Sequence, residues 1–241
     1  MSVNTHSLDL ELSSSQYAKV ADTVPLSITG DLTVECWVKL ETLPSANAAQ
    51  MNFCGKWEVN SDRRSYRLIG LQASDKPTFA LSSSGAAAQA DNFTATTILG
   101  TGVWTHIAAT YAASTGSVTF YKNGANDGGG TQSNLSIHNN NSEFVIGAND
   151  TITAAAEFFD GLIDEVRIWN TERTVAQVLA NYQTQLNGDE SGLAGYWRLN
   201  NNYNDQTVNA ANLTAVNAPV FSTDVPFVGS PDRTGLQAKI W

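Results

Sequence analysis

Alternation of apolar and polar residues with a period of two runs through most of the chain and predicts a β-protein. In SLDLEL, the residues Leu8, Leu10 and Leu12 fall on one face of an extended strand, opposite two acidic residues. In LTVECWVKL, two valines, Cys36 and Leu40 share one face in the same way. Segments rich in β-branched and aromatic residues predict further strands in SYRLIGL, PTFALS, VWTHIAATY, SVTFYK, EFVIGA and GLAGYWRLN.

One turn and one helix stand out against these strands. The dipeptide Asn123-Gly124 follows SVTFYK and favours the type I′ turn of a β-hairpin. Helical spacing is convincing only in NTERTVAQVLANYQTQL, where the apolar residues of one predicted face are Val175, Val178, Leu179, Tyr182 and Leu186. Thr171 or Thr174 is predicted to cap this helix, and Gly188 to follow its end. One short helix among many strands predicts two packed sheets.

Six phrases of the sequence also follow one another in a recognisable order. They are HSLDLELSSSQYAKVAD, ITGDLTVECWVKLETLP, GVWTHIAATYAASTGSVTFYKNG, FVIGAND, FFDGLIDEVRIWN and GLAGYWRLNNNYNDQT. This order resembles the laminin-G-like (LamG) jelly-roll domains of the concanavalin A-like superfamily. The resemblance covers about residues 5–205 and implies an all-β, two-sheet antiparallel jelly-roll sandwich. We expect one domain over residues 1–227 and a C-terminal arm over residues 228–241.

Composition and charge narrow the partners. The chain has 241 residues and is 42% hydrophobic, which is enough for the core of one large domain. Its formal net charge of −10 disfavours nucleic acids and anionic membranes, because like charges repel. No apolar run reaches the roughly 18 residues of a membrane span. The start, MSVNTHSLDLELSSS, shows no signal peptide. We expect an extracellular or virion-surface location, so the sequence is either a mature form or reaches that location without this export signal.

Two cysteines, Cys36 and Cys54, are too few for a disulfide scaffold, and their spacing does not fit zinc. Two buried thiols and a single Cys36–Cys54 bridge both remain open. Pentraxins, which are similar in fold, bridge the VECWV-like strand to the THIAATY-like strand. The second position is Ala108 in this chain, so the resemblance does not carry the pentraxin bridge over.

Carboxylates in FFDGLIDEVRIWN raise the question of catalysis. Glycoside hydrolases of this fold carry Glu-x-Asp-x-(x)-Glu on one strand, since retaining enzymes need two carboxyls about 5–5.5 Å apart. Adjacent strand residues point to opposite faces, so Asp164 and Glu165 are not expected to share a cleft. The three histidines, His6, His106 and His138, show no catalytic spacing. We therefore expect no enzymatic activity.

The same alternation predicts the environment of each acid in this strand. The residues predicted to share one face are Leu162, Asp164, Val166 and Ile168, and those on the other are Ile163, Glu165, Arg167 and Trp169. Glu165 and Arg167 are thus expected to form a pair. Asp164 is expected to need a buried hydrogen-bond partner, because its neighbours are apolar.

A calcium site is predicted near the loop GANDTITAAAEFFDG, residues 147–161. Calcium takes oxygen ligands from loop Asp, Asn and carbonyl groups. The resemblance to pentraxins implies Asn149, Asp150 and Asp160 as ligands, with Asp62 from the segment WEVNSDRRSY. This set lacks the contiguous Asp-Asn pair of pentraxins, and the alternative is that these residues only form turns. Ca2+ is the one cofactor expected.

A sugar site is predicted beside it. Exposed aromatic rings give sugars an apolar platform, with amides and charged groups nearby to bond hydroxyls. Trp57 and Tyr66 flank a polar loop that offers Asn60 and Arg64, and the four residues form a candidate ligand rim. The alternative is that both rings pack inside the sandwich.

Two hypotheses for function follow. The first is a non-enzymatic binding or adhesion module that recognises a glycan or protein surface at the loop rim, assisted by calcium. The second is a structural or decoration protein of a virion (phage capsid or tail) or of a cell surface. In that case residues 228–241, which end in LQAKIW, would mediate self-assembly or contact a capsid or tail partner.

Overall fold

The computed structural model describes residues 3–149, 151–152 and 154–228 and confirms an antiparallel two-sheet β-sandwich. Its strands, in chain order, are β1 Ser7–Leu10, β2 Tyr17–Val20, β3 Leu32–Leu40, β4 Met51–Glu58, β5 Arg63–Leu71, β6 Lys76–Ser82, β7 Ala90–Thr94, β8 Thr105–Ala112, β9 Ser117–Lys122, β10 Ala125–Thr131, β11 Phe144–Ile146, β12 Gly161–Trp169, β13 Leu193–Trp197, β14 Thr214–Val216 and β15 Val220–Ser222. A single α-helix, α1, spans Val175–Asn181 within the described ranges.

The strands divide into an eight-stranded and a seven-stranded sheet. The eight-stranded sheet has the order β10-β9-β8-β3-β12-β1-β15, with β13 paired to β12. The seven-stranded sheet has the order β14-β2-β11-β4-β5-β6-β7. Asn123 and Gly124 form the predicted turn between β9 and β10, with φ of 50° and 79°. In the described part of the chain, no helix has the length and apolar character needed to span a membrane.

The core lies between the two sheets and follows the predicted alternation. The eight-stranded sheet contributes Leu8, Leu10, Cys36 and Leu40, all of them buried. Phe144 of β11 stacks on Trp197 of β13 with ring centroids 4.7 Å apart, so an aromatic pair joins the two sheets. Inward and outward faces can therefore be assigned from cross-strand pairing.

A β-bulge in β12 makes part of the predicted face assignment wrong. Asp164 pairs with Trp37, but the next pair joins Arg167 to Glu35, so β12 has one residue more than β3 in this interval. Glu165 adopts a left-handed conformation with φ of 52°. The side chains that enter the core are Ile163, Val166 and Ile168. Val166 and Ile168 therefore do not share a face with Asp164.

The helix is shorter than predicted and its apolar face is not the buried one. Thr174 caps α1 with a capping box. Its hydroxyl accepts from the backbone N–H of Gln177, and the side chain of Gln177 accepts from the backbone N–H of Thr174. Val175 and Leu179 are 51% and 56% exposed, and only Val178 of the helix is buried. Since α1 ends at Asn181, the predicted Leu186 and Gly188 positions lie beyond the helix.

Candidate functional site

The outer face of the seven-stranded sheet carries an unusual row of side chains. Cross-strand pairing places one row on this face: Lys19, Val145, Gly55, Arg67, Ala80 and Asn92. The neighbouring row, which includes Cys54, Leu68 and Phe79, points into the core. Arg67 is thus a long cationic side chain between two small residues on a solvent-side face.

Arg67 is held over an aromatic ring and against a carboxylate. A bulge lies between Lys56 and Trp57 in β4. The Trp57 ring lies beside Arg67, whose guanidinium is 4.6 Å from the ring centroid. The Nη1 group of Arg67 donates to Oε2 of Glu157, and Nη2 donates to Gln50 at 3.5 Å. Glu157 has φ of 52°, a left-handed conformation that costs energy in a non-glycine residue.

Two buried amides complete this cluster. Asn149 donates from Nδ2 to Oε2 of Glu157 at 2.7 Å, and Asn52 donates from Nδ2 to the carbonyl of Ala148 at 2.6 Å. The Oδ1 atoms of both asparagines are buried and accept no hydrogen bond from the described residues. Such buried acceptors are costly unless a partner satisfies them. We call Asn52, Trp57, Arg67, Asn149 and Glu157 the Arg67 site.

The described residues of the loop after Asn149, namely 151, 152 and 154–158, lie along the same face and are fixed at several points. Thr151 donates its hydroxyl to Glu143 at 2.6 Å, and the backbone N–H of Ile152 donates to Glu58 at 3.0 Å. Phe158 packs with Tyr17 in a small apolar cluster on the outer side of β2 and β11. The loop therefore walls the Arg67 site on one side, and the Glu157 side chain keeps 22% of its surface exposed.

The predicted sugar rim is only partly brought together. Trp57 lies in the Arg67 site but is 5% exposed, so its ring is not an open platform. Arg64 donates to the carbonyl of Gly85 at 3.0 Å, and Asn60 is exposed in the β4–β5 hairpin. Placing Tyr66 at the rim was wrong. It pairs with Lys56 on the inner row, is fully buried, and donates its hydroxyl to the carbonyl of Leu26 at 2.8 Å.

The predicted calcium ligands separate into different surroundings. Asn149 belongs to the Arg67 site, whereas Asp62 lies in the β4–β5 hairpin, 3.4 Å from Arg64. Asp160 accepts from the backbone N–H of Leu12 at 3.2 Å and from the hydroxyl of Thr42 at 2.6 Å. Asp150 lies outside the described residues.

Asp160 instead meets two acids that the sequence did not single out. Carboxylate oxygens of Glu11, Glu41 and Asp160 lie within 4.8 Å of one another. Burial raises the pKa of Glu41, and the charges of Glu11, Asp9 and Asp160 raise it further. Glu11 and Glu41 follow the ends of β1 and β3, and Asp160 precedes the start of β12. Because β1 and β3 both pair with β12, these three strand ends lie side by side, which the sequence does not show.

A second polar network lies on the outer side of the eight-stranded sheet, but it is buried. Arg167 donates to Glu165 at 2.8 Å, which confirms the predicted pair, and lies 3.7 Å from Glu35. His106 shares a hydrogen bond of 3.1 Å with Glu35, and Trp169 donates to Glu35 at 2.8 Å. These side chains are at most 1% exposed. The network is thus closed to a substrate.

Electrostatics explain why this network holds two carboxylates. Burial alone would raise the pKa of Glu35, but the hydrogen bond from His106 and the charge of Arg167 lower it to about 2. Burial likewise acts to lower the pKa of Arg167, yet Glu35 and Glu165 raise it above its ordinary value. Asp164 accepts from Nδ2 of Asn4 at 2.7 Å and from the N–H of Glu165 at 2.9 Å, which confirms the predicted need for buried partners.

Comparison with known proteins agrees with this architecture. The family model described as the concanavalin A-like lectin/glucanases superfamily matches residues 12–179. The chain belongs to this superfamily. No curated protein matches the sequence.

Three solved structures of similar fold are described next. A "putative carbohydrate binding protein" from Bacteroides ovatus ATCC 8483 is 22% identical, with a TM-score of 0.72. The match covers 94% of this chain and 62% of the Bacteroides chain. The native heptameric SAP-like pentraxin of Limulus polyphemus is 12% identical, with a TM-score of 0.60, and the match covers 90% of this chain and 94% of the pentraxin chain. Domain 4 of AbnA, a GH43 extracellular arabinanase from Geobacillus stearothermophilus, in complex with arabinotriose, is 23% identical, with a TM-score of 0.51. The match covers 67% of this chain and 71% of the AbnA domain. This superfamily member thus spans less than two thirds of the Bacteroides protein.

Proposed function

We propose that this superfamily member is a non-enzymatic module that binds glycans at the Arg67 site. One observation carries the proposal: Asn52 and Asn149 keep buried amide oxygens that no described residue donates to, beside the Arg67–Glu157 pair. Sugar hydroxyls are donors that can satisfy such oxygens, and they can also bond a carboxylate and a guanidinium. Asn52 and Asn149 are each 1% exposed, so a sugar would reach their amide oxygens by displacing the Glu157 side chain, which is 22% exposed.

The charge of the site favours neutral sugars. Arg67 is already paired with Glu157, so the cluster has no net positive charge to attract an anionic ligand. The chain as a whole is strongly acidic. The carbohydrate-related proteins of similar fold add support, although at their identities the likeness concerns the fold rather than the ligand.

A glycan array followed by calorimetry on the best ligand tests this proposal. We expect Asn52→Ala and Asn149→Ala each to weaken binding about tenfold, the equivalent of losing one hydrogen bond. Asn209→Ala is the matched control, since its Nδ2 also donates to one backbone carbonyl, that of Ala194 at 2.9 Å, but lies in another loop. Equal affinity of all variants would place binding elsewhere, and an array without any binder would overturn the glycan proposal.

Calcium assistance is a separate proposal that rests on Glu11, Glu41 and Asp160. Three carboxylates in reach of one another suit a hard cation, whose charge would relieve their mutual repulsion. We expect calcium to raise the melting temperature, EDTA to reverse the rise, and Glu41→Gln to reduce it. An identical melting curve with calcium and with EDTA would remove this ion from the proposal. Glycan binding measured in both conditions separates the two ideas.

A structural role in a virion or on a cell surface is the second candidate. The chain after β15 crosses the outer side of the eight-stranded sheet, where Asp224 accepts from Trp104 at 2.8 Å and Phe227 packs 6.0 Å from Trp37. Residues 229–241 of the predicted arm lie outside the described residues. Deleting them should reduce the oligomer seen by light scattering while glycan binding persists. An unchanged mass would reject this role.

A further inference from the structure

The side chain of Glu157 occupies the centre of the Arg67 site. Its Oε2 atom accepts from Nη1 of Arg67 and from Nδ2 of Asn149, the second at 2.7 Å. Two donors from different segments, β5 and the loop after β11, thus converge on one carboxylate oxygen. Hydrogen bonds between a charged donor and a charged acceptor are about twice as strong as neutral ones. The site is therefore suited to hold a carboxylate, and the chain itself supplies that carboxylate.

The backbone around Glu157 is held in place, so the side chain is the part that can leave Arg67. Asn149 and Ala156 exchange two backbone hydrogen bonds of 3.0 Å each. The carbonyl of Glu157 accepts from the backbone N–H of Asn52 at 2.9 Å. Truncating the Glu157 side chain should therefore remove the carboxylate from the site and leave these backbone contacts intact.

The charge of the Arg67 site depends on this one carboxylate. Arg67 and Glu157 are the cation and the anion of the site, and its other members are Asn52, Trp57 and Asn149. Two further contacts of Arg67 are uncharged, since its guanidinium lies 4.6 Å from the centroid of the Trp57 ring and Nη2 donates to Gln50 at 3.5 Å. Removing the Glu157 carboxylate would therefore change the site from neutral to a single positive charge.

We propose that Glu157 determines the charge specificity of the Arg67 site: its carboxylate takes the position of a ligand carboxylate, so the site excludes uronic acids and accepts neutral sugars. This inference rests on the proposed function, because it names the class of sugar that the same site takes. A neutral sugar that displaces the side chain leaves one cation and one anion in the site. A uronic acid would bring a second carboxylate beside the first, and like charges in contact disfavour binding.

Titration of wild type and Glu157→Ala with glucuronate, and with its neutral amide glucuronamide, tests the proposal. Binding is followed by NMR of the side-chain amide of Asn149. We expect the ratio of glucuronate to glucuronamide affinity to rise about tenfold in Glu157→Ala, because Arg67 is then left to pair with the ligand's carboxylate. Added salt should reduce this gain, since it screens the new ion pair.

Glu143→Ala is the matched control. Glu143 pairs with Lys19 at 2.9 Å and its side chain is 21% exposed, against 22% for Glu157, so this variant changes the net charge equally but outside the Arg67 site. It should bind glucuronate as the wild type does. If Glu157→Ala does not fold, Glu157→Gln removes the charge at nearly constant size and should shift the ratio in the same direction.

The outcomes separate this inference from the proposed function. An unchanged ratio in the Glu157 variants, or an equal gain in Glu143→Ala, would overturn the role of Glu157, even if the wild type binds neutral glycans. A wild type that binds no glycan on the array would overturn the proposed function. The gain of glucuronate binding in Glu157→Ala is measured independently of that array.

Discussion

Replacing Arg167 with methionine should strongly destabilise the sandwich. Arg167 lies between Glu35 and Glu165 on the outer side of the eight-stranded sheet and is 1% exposed. It also donates to the carbonyls of Asn181 and Thr184, at 3.1 and 2.6 Å, just beyond α1. Methionine fills a similar volume but supplies neither charge nor donors, so two buried carboxylates would lose their main cation.

The size of the effect follows from these contacts. Removing one partner of a buried ion pair costs about 3–5 kcal/mol, because the other charge remains buried without compensation. The freed carbonyls of Asn181 and Thr184 add to this cost, although not additively. We expect the free energy of unfolding to fall by about 4–5 kcal/mol, which is a large share of the 5–15 kcal/mol typical of a domain.

Urea unfolding followed by tryptophan fluorescence measures this loss. Arg63→Met, on the less buried hairpin end of β5, is the control and should stay within about 0.5 kcal/mol of the wild type. Adding Glu165→Gln to Arg167→Met should recover about 1–3 kcal/mol, as expected for coupled neighbours. A cost below about 1 kcal/mol for Arg167→Met, or no recovery in the double variant, would refute the assignment of Arg167 as counter-ion.

Three further predictions concern stability. Burial lowers the pKa of His106, so the unfolded chain binds a proton at a pH where the folded chain does not. The free energy of unfolding should therefore fall as the pH drops below about 6.5. Urea midpoints at pH 7 and pH 5 measure this loss, which should be smaller in His106→Gln. Gly55→Ala would bring its Cβ within 2.5 Å of Arg67 and should cost about 1–3 kcal/mol by thermal melting, whereas Gly30→Ala, with nothing within 4 Å, should cost much less. Asp205 accepts from three backbone N–H groups, so Asp205→Ala should cost about 2–4 kcal/mol in urea, and Asp205→Asn should recover part of it; equal losses would contradict a hydrogen-bonding role.

Most of the fold was accessible from the sequence because alternation encodes burial directly. Faces fail to follow alternation where a bulge intervenes. The bulge in β12 depends on a left-handed Glu165, and a glutamate gives no local signal for that conformation. The helix and its Thr174 cap were predicted, but its length and its buried face were not. Its apolar spacing is real, but α1 contacts the sheet through Val178, near Ala108 and Tyr121, and ends before Tyr182.

The candidate site was harder to predict because it depends on contacts between distant segments. Trp57 was identified, but its partner Arg67 was not, since plain alternation gave no sign of the bulge beside Trp57. Glu157 was missed because nothing near it in sequence indicates that its carboxylate reaches Arg67 on β5. Asn149 was predicted as a turn former or metal ligand, and its hydrogen bond to Glu157 was not foreseen.

The bulge in β12 also changes the argument about catalysis. Asp164 and Glu165 were expected to be unsuitable because they would point to opposite faces, whereas the bulge brings Glu165 to the outer side with Glu35, and Arg167 contacts both. Two carboxylates on one side of a sheet resemble the requirement of a glycosidase. A general acid must, however, hold a proton near neutral pH, and the pKa of Glu35 is about 2. The segment after α1 also lies against this network, because Arg167 donates to the carbonyl of Thr184 and Gln185 donates to Glu165. These contacts therefore anchor that segment to the eight-stranded sheet.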